Sequence, residues 1–201
     1  MDVLCLDLEG VLVPEIWISV AERTGIESLR KTTRDVPVYD DLMRARLKIL
    51  AEHRIDLAAI RAVIDTLEPL PGALAFLQWA RAHFQVAIIS DTFYEFAQPL
   101  MAKFDWPMLL CHRLEVVDGR ITGYRLRQPD PKRASVKAFQ ALHYRVLAVG
   151  DSYNDIPMLE QADQGIFYRC PESVALKFPQ FERTQSYGVL QALLARRLTV
   201  T

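Results

Sequence analysis

Three short apolar runs, each ending in a cluster of oxygen-bearing side chains, constrain the fold of this chain more than any other feature. The first is Val3-Leu-Cys-Leu-Asp-Leu-Glu-Gly-Val-Leu-Val13, in which a strand-like run delivers Asp7 and Glu9 onto a glycine turn. The second is Val86-Ala-Ile-Ile-Ser-Asp-Thr92, and the third is Val146-Leu-Ala-Val-Gly-Asp-Ser-Tyr-Asn-Asp155. Continuous apolar runs of this length suit strands buried on both faces, as in a parallel sheet covered by helices. In such sheets the carboxyl ends of the strands form the ligand-binding edge, so the three polar clusters are expected to meet. Side chains alternate along a strand, which puts Asp7 and Glu9 on one side and predicts a raised pKa for Glu9 from the crowd of carboxylates.

Between the first and second runs the pattern changes. From Pro14 to about Pro71 it is helical, with Ile16, Val20 and Ala21 on one stretch and Leu42, Met43, Leu47 and Leu50 on another, and with Pro37 and Pro69-Leu-Pro71 as boundaries. The expected architecture is therefore an α/β doubly wound parallel sheet, residues 1–13 and 72–201, with a small helical cap, residues 14–71, inserted after the first strand. Both ends of the insertion open beside Asp7, so it is placed to cover the site. Within it Arg46 shares a helix face with Leu42, Met43 and Leu50. A guanidinium in an apolar stripe either snorkels to water or binds a carboxylate through paired hydrogen bonds.

Downstream, helices are expected over about Gly72–His83 and Phe93–Phe104, followed by a short strand near Met108–Leu110. A separate hairpin is expected from Arg113, turning at Asp118-Gly119. Pro131 suits a first helical turn, with Asp130 as its cap and Lys132 close behind. Asn154 is read as a phosphate contact or a helix cap. Glu15, beside Pro14, is read as a site residue or an ordinary helix-start carboxylate. His53, His83, His112 and His143 show no ligand spacing, and aromatics such as Trp17, Tyr39 and Phe93 are read as core or cavity wall.

Composition bounds the function. The chain has 201 residues, 51% hydrophobic, with a formal net charge of -1, enough for one core and too neutral for an electrostatic nucleic-acid binder. The Arg196-Arg197 pair is expected to meet a helix C-terminus. No apolar run reaches membrane-spanning length, and the N-terminus lacks the basic start of a signal peptide. Three scattered cysteines, Cys5, Cys111 and Cys170, fit neither a disulfide framework nor a zinc site, so the expected location is a reducing cytoplasm.

In order and content, DLEGV, SDT, Lys132 and GDSYND resemble the four motifs of the haloacid-dehalogenase (HAD) superfamily of aspartate-nucleophile phosphotransferases. Glu15, Arg46, Arg113-Leu, Val117-Asp-Gly119 and Ile121-Thr-Gly123 resemble its phosphoserine phosphatase branch. The first motif carries Glu9 where the superfamily usually has a second Asp, a feature similar to the bacterial bifunctional phosphoserine phosphatase/homoserine phosphotransferase type. The resemblance implies Asp7 as nucleophile, Glu9 as general acid and base, and Ser90 with the Asp91 amide on the phosphoryl oxygens. It implies Lys132 as the cation, and Mg²⁺ held by Asp7, Asp151 and the Glu9 carbonyl. Asp155 would hold a metal-bound water or orient Lys132. Arg46 and Glu15 would bind the amino acid, phosphoserine or homoserine, placing the chain in serine and threonine biosynthesis. A phosphatase for another small metabolite and a catalytically silent phospho-ligand binder are the alternatives. Expected partners are small molecules, with a homodimer left open.

Overall fold

A computed structural model describes residues 1–32, 35–36, 38–196 and 198; Pro37 and Arg197 lie outside the described residues. Its sheet has seven strands among them: β1 (Asp2–Leu6), β2 (Gln85–Phe93), β3 (Met108–Val117), β4 (Arg120–Arg125), β5 (Arg145–Gly150), β6 (Gln164–Tyr168) and β7 (Glu182–Thr184). The spatial order is β4-β3-β2-β1-β5-β6-β7, and all neighbours are parallel except the β3/β4 hairpin. Strand order reverses at β1, between β2 and β5, which is where such sheets bind ligands.

Period-two alternation splits each central strand between two layers. Leu4, Leu6, Ile88, Leu147 and Val149 face one core, and Val3, Cys5, Ala87, Ile89, Val146 and Ala148 face the other. The first layer is covered by α4 (Ala73–His83), α5 (Tyr94–Lys103) and α9 (Tyr187–Ala195), and the second by α6 (Pro131–Ala141), α7 (Ile156–Gln161) and α8 (Glu172–Ala175). Helices on both sides explain why the strands read as unbroken apolar runs. No helix among the described residues is long and apolar enough to cross a membrane.

The insertion carries α1 (Ile16–Thr24), a 3₁₀ turn at Glu27–Arg30, α2 (Tyr39–Glu52) and α3 (Leu57–Ile64). Its buried Ile16, Val20, Met43, Leu50 and Ile60 join the same apolar cluster as the first sheet layer, so no separate core isolates it. It also leans on the hairpin: the Leu57 amide donates to the Gly119 carbonyl at 2.9 Å, and the Tyr124 hydroxyl hydrogen-bonds Asp40.

Three local expectations need correction. Met108–Leu110 and the hairpin's first arm form one strand, β3, which pairs with β2 and then with β4. An irregularity between Ile89 and Phe93 absorbs the Ser90-Asp91-Thr92 segment, so β2 runs on through it. Asp130 stands at the N-cap of α6 but in left-handed backbone (φ 43°), and its carboxylate pairs with Arg133 at 3.0 Å instead of capping. The hairpin turn is as expected, with positive φ at Asp118 and Gly119 suiting a two-residue primed turn. Arg196 caps the end of α9 and pairs with Glu182 at 3.0 Å.

Candidate active site

The Asp7 amide donates to the Val149 carbonyl at 3.0 Å, so β1 stays in register with β5 for one residue beyond its formal end. This holds the Asp7 side chain, 4% exposed, beside Asp151 at the tip of β5. Gly10 makes that approach possible. Its φ is +75°, and a Cβ there would lie 2.4 Å from an Asp151 carboxylate oxygen. Gly150 plays the same part for Asp155, whose Cβ would lie 2.3 Å from an added methyl.

Lys132, in the first turn of α6 and 2% exposed, reaches into this group. Its Nζ lies 2.5 Å from Asp155 Oδ1, 3.1 Å from Asp7 Oδ1 and 3.9 Å from Asp91 Oδ2. Burial pulls the ammonium down, but the three acids outweigh it and hold its pKa well above the ordinary lysine value. Burial pushes the Asp7 carboxyl well up; Asp155, Asp151 and Asp91 add to this, and Lys132 only partly offsets it.

Asp7, Asp151 and Asp155 present oxygens within 4.8 Å of one another. Asp155, however, is already committed: Oδ1 takes Lys132, and Oδ2 accepts the amides of Asp151 at 2.8 Å and Ser152 at 3.0 Å. Of the two roles open to it, orienting Lys132 is the one its contacts match. Asp7 and Asp151, both buried, bring hard carboxylate oxygens close together, and their like charges call for a cation. Such a carboxylate pair fits a hard cation such as Mg²⁺.

Glu9 faces the same cavity from the other side. Its Oε2 accepts the Ile16 amide at 2.8 Å, serving the first turn of α1, where Glu15 occupies the N-cap without a side-chain cap bond. Burial, followed by the charge of Glu15, raises the Glu9 pKa to about 8; Ile16, Arg46 and a hydrogen bond from Thr92 pull against this. The upward direction matches the sequence reading, and its cause does not. Desolvation leads, and the neighbouring acid that adds to it is Glu15.

Arg46, 7% exposed, does not snorkel. Its guanidinium lies 4.4 Å from the centre of the Trp17 ring, with Nη2 donating to the Lys31 carbonyl at 2.9 Å. Nε is buried without a hydrogen-bond partner. Arg46, Glu15, Glu9, Ser90, Asp91, Asn154, Asp7 and Asp151 line one cavity, walled by Trp17, Thr32, Tyr39, Leu42, Thr92 and Ser152. Its free volume is about 90 Å³.

Ser90 is buried within β2, where its pairing with β3 shifts register, its Oγ accepting the Thr92 amide at 3.3 Å. Asn154 is not a cap: Ser152 and Asp155 form the capping box of that turn. Its Nδ2 donates to Asp91 at 2.9 Å, and its Oδ1 accepts from Ser152. Of the aromatics, Trp17 and Tyr39 are cavity wall, whereas Phe93 is core. The sequence reading did not single out Thr32, Thr92 or Ser152, and gave His112 no role in the site. His112 is 2% exposed, with Nε2 3.5 Å from Asp91. A histidine directly after the apolar run 108–111 was the available signal for it.

Comparison with known proteins agrees with this geometry. The haloacid dehalogenase-like hydrolase profile matches residues 18–160. Phosphoserine phosphatase ThrH of Pseudomonas aeruginosa is 58% identical over 192 residues, covering 95% of this chain and 94% of the relative. The phosphoserine phosphatase of Pseudomonas syringae pv. tomato is also 58% identical, over 95% of this chain and 81% of its own. A substrate-bound phosphoserine phosphatase structure shares the fold with TM-score 0.79 at 18% identity, over 96% of this chain and 97% of that one. The phosphoserine phosphatase of T. onnurineus superposes with TM-score 0.74 at 26% identity, over 96% and 93%.

Proposed function

Since the chain belongs to the haloacid dehalogenase-like hydrolases, we propose that it is a Mg²⁺-dependent phosphoserine phosphatase working through a phosphoaspartate on Asp7, and that it also passes the phosphoryl group to homoserine. The observation that carries this reading is Arg46. A buried guanidinium with an unpartnered Nε opens into the cavity that holds Asp7, and there it supports recognition of a substrate carboxylate. The two 58% identical relatives named for phosphoserine support the same substrate. Glu15, on the same wall, is the matching acceptor for an ammonium group.

Asp7 Oδ attacks phosphorus as the serine Oγ–P bond breaks, and Glu9, held protonated by its buried setting, gives the leaving oxygen its proton. A second oxygen nucleophile then attacks the phosphoaspartate. It loses its proton to Glu9 as the Asp7 O–P bond breaks, which restores both acids. Water yields inorganic phosphate, and the homoserine hydroxyl yields phosphohomoserine. Ser90 and the Asp91 amide donate to the phosphoryl oxygens, and Lys132, oriented by Asp155, neutralises charge there. Mg²⁺ held by Asp7, Asp151 and the Glu9 carbonyl would offset the substrate's ~2 negative charges.

Residues 14–71 act as a cap in this scheme. Glu15, Trp17, Tyr39, Leu42 and Arg46 of this segment line the cavity that holds Asp7, so the segment is placed to cover bound substrate. Incubation with labelled phosphoserine and Mg²⁺, with and without homoserine, tests the assignment. Inorganic phosphate is expected in both reactions, and phosphohomoserine only in the second. No release from phosphoserine would end the substrate reading, and phosphate alone would end the transfer to homoserine.

A further inference from the structure

Asp91 is a carboxylate where one is costly. It follows Ser90 directly and lines the cavity, so its charge opposes the phosphate dianion that the proposed function brings in. It nevertheless stays ionised. Burial pushes its pKa up, but Lys132 and hydrogen bonds from His112 and Asn154 outweigh burial and hold it at about 2. Three groups face it: Asn154 Nδ2 donates to it at 2.9 Å, His112 Nε2 stands at 3.5 Å and the Lys132 ammonium at 3.9 Å. Two of these, Lys132 and Asn154, border the reacting centre, and the third lies behind it.

The His112 ring is fixed from both ends. Its Nδ1 accepts the Arg127 main-chain amide at 3.2 Å, and an amide can only donate. Nδ1 therefore carries the lone pair and Nε2 the hydrogen, which faces Asp91 Oδ1. The rings of Tyr39 and Phe93, at 6.1 and 6.3 Å between centres, flank the imidazole. Asp91 is thus tied to a main-chain amide of another segment through a buried, oriented ring. Around Lys132, Asp155 accepts a hydrogen bond, and Asp7 at 3.1 Å and Asp91 at 3.9 Å complete a ring of ion pairs.

We propose that His112 is a positioning residue which, through the Asp91 carboxylate, sets where the Lys132 ammonium and the Asn154 amide stand relative to the phosphoryl group on Asp7. The role rests on reading this cavity as the phosphoryl-transfer site, and concerns the phosphoryl end of the substrate rather than its amino-acid end.

Two substitutions separate positioning from packing. His112→Gln keeps a donor near the Nε2 position and forfeits the acceptor for Arg127, and His112→Asn keeps the acceptor and forfeits the donor. With Mg²⁺ and phosphoserine, His112→Asn is expected to lose about 10-fold or more in kcat with KM little changed, the usual scale for a partner one step removed from the reacting groups. His112→Gln should retain most of kcat. Asp91→Asn should fall like His112→Asn, and the double variant no further than either single one. The opposite order, equal losses in both His112 variants, or additive losses in the double variant would overturn the role. If His112→Asn does not fold, Asp91→Asn against His112→Gln carries the comparison. The same order is expected with p-nitrophenyl phosphate. If wild-type protein ignores phosphoserine and this order still holds, only the substrate reading fails. Wild-type turnover of phosphoserine with His112→Asn at full kcat removes His112 alone.

Discussion

Gly10→Ala puts the geometry of the acid pair to a direct test. The added Cβ would lie 2.4 Å from Asp151 Oδ2 and 2.5 Å from its Cγ, whereas ordinary van der Waals contact begins at 3.4 Å. The carboxylate must therefore retreat by about 1 Å or turn away from Asp7, and a displacement of that size is worth on the order of 100-fold in rate. The fold should suffer far less. A single non-glycine residue in left-handed backbone costs about 1–2 kcal/mol, which corresponds to a melting point lower by roughly 2–8 °C for a chain of this size. Phosphate release from phosphoserine, titrated with Mg²⁺ and followed beside thermal unfolding, separates the two effects. The expected result is a folded protein with activity down by on the order of 100-fold and a weakened Mg²⁺ dependence. A variant with unchanged Mg²⁺ activation and unchanged kcat would refute the claim that Asp151 must stand against Asp7.

Other outcomes follow from the same site. Arg46→Ala should cut kcat/KM for phosphoserine by on the order of 100-fold, within the range for a charged hydrogen bond lost from a buried pair, while p-nitrophenyl phosphate hydrolysis survives better; equal losses on both substrates would count against carboxylate recognition. Hydrolysis of phosphoserine should decline as pH rises through about 8, where Glu9 loses its proton, and Glu9→Gln should abolish that limb of the kcat profile. Because the folded pKa of Glu9 is raised, its contribution to stability is intact below the ordinary carboxylate range and is lost as pH rises to about 8. Thermal melts of metal-free protein across that window should fall with pH, and less steeply in Glu9→Gln; a steeper slope in the variant would reverse the sign assigned here.

The fold was legible in the sequence wherever burial on both faces left unbroken apolar runs, as at Val3–Leu6, Ile88–Ile89 and Val146–Val149. It was less legible where pairing decides the outcome. The continuity of β3 through Cys111 and His112 depends on a register irregularity opposite Ser90-Asp91-Thr92, which no local pattern encodes. Strands β6 and β7 are short and end in no carboxylate cluster to mark them. In the site, Asp7, Ser90 and Asp151 stood out as polar groups ending apolar segments, Lys132 as a cation in the first turn of an expected helix, and Arg46 as a charge in an apolar stripe. Trp17, Tyr39 and His112 did not, because an aromatic that walls a cavity and one that fills a core have the same local spacing. Glu9 illustrates a further limit: its side chain was placed correctly, but the leading cause of its raised pKa is burial under α1, a tertiary effect.

The most direct measurement is acid quench of the protein with phosphoserine and Mg²⁺, followed by peptide mapping by mass spectrometry. The account predicts a phosphorylated peptide with the modification on Asp7, absent from Asp7→Asn, which should also be inactive. A phosphoryl adduct on another residue, or an Asp7→Asn variant that turns over phosphoserine at the wild-type rate, would contradict it.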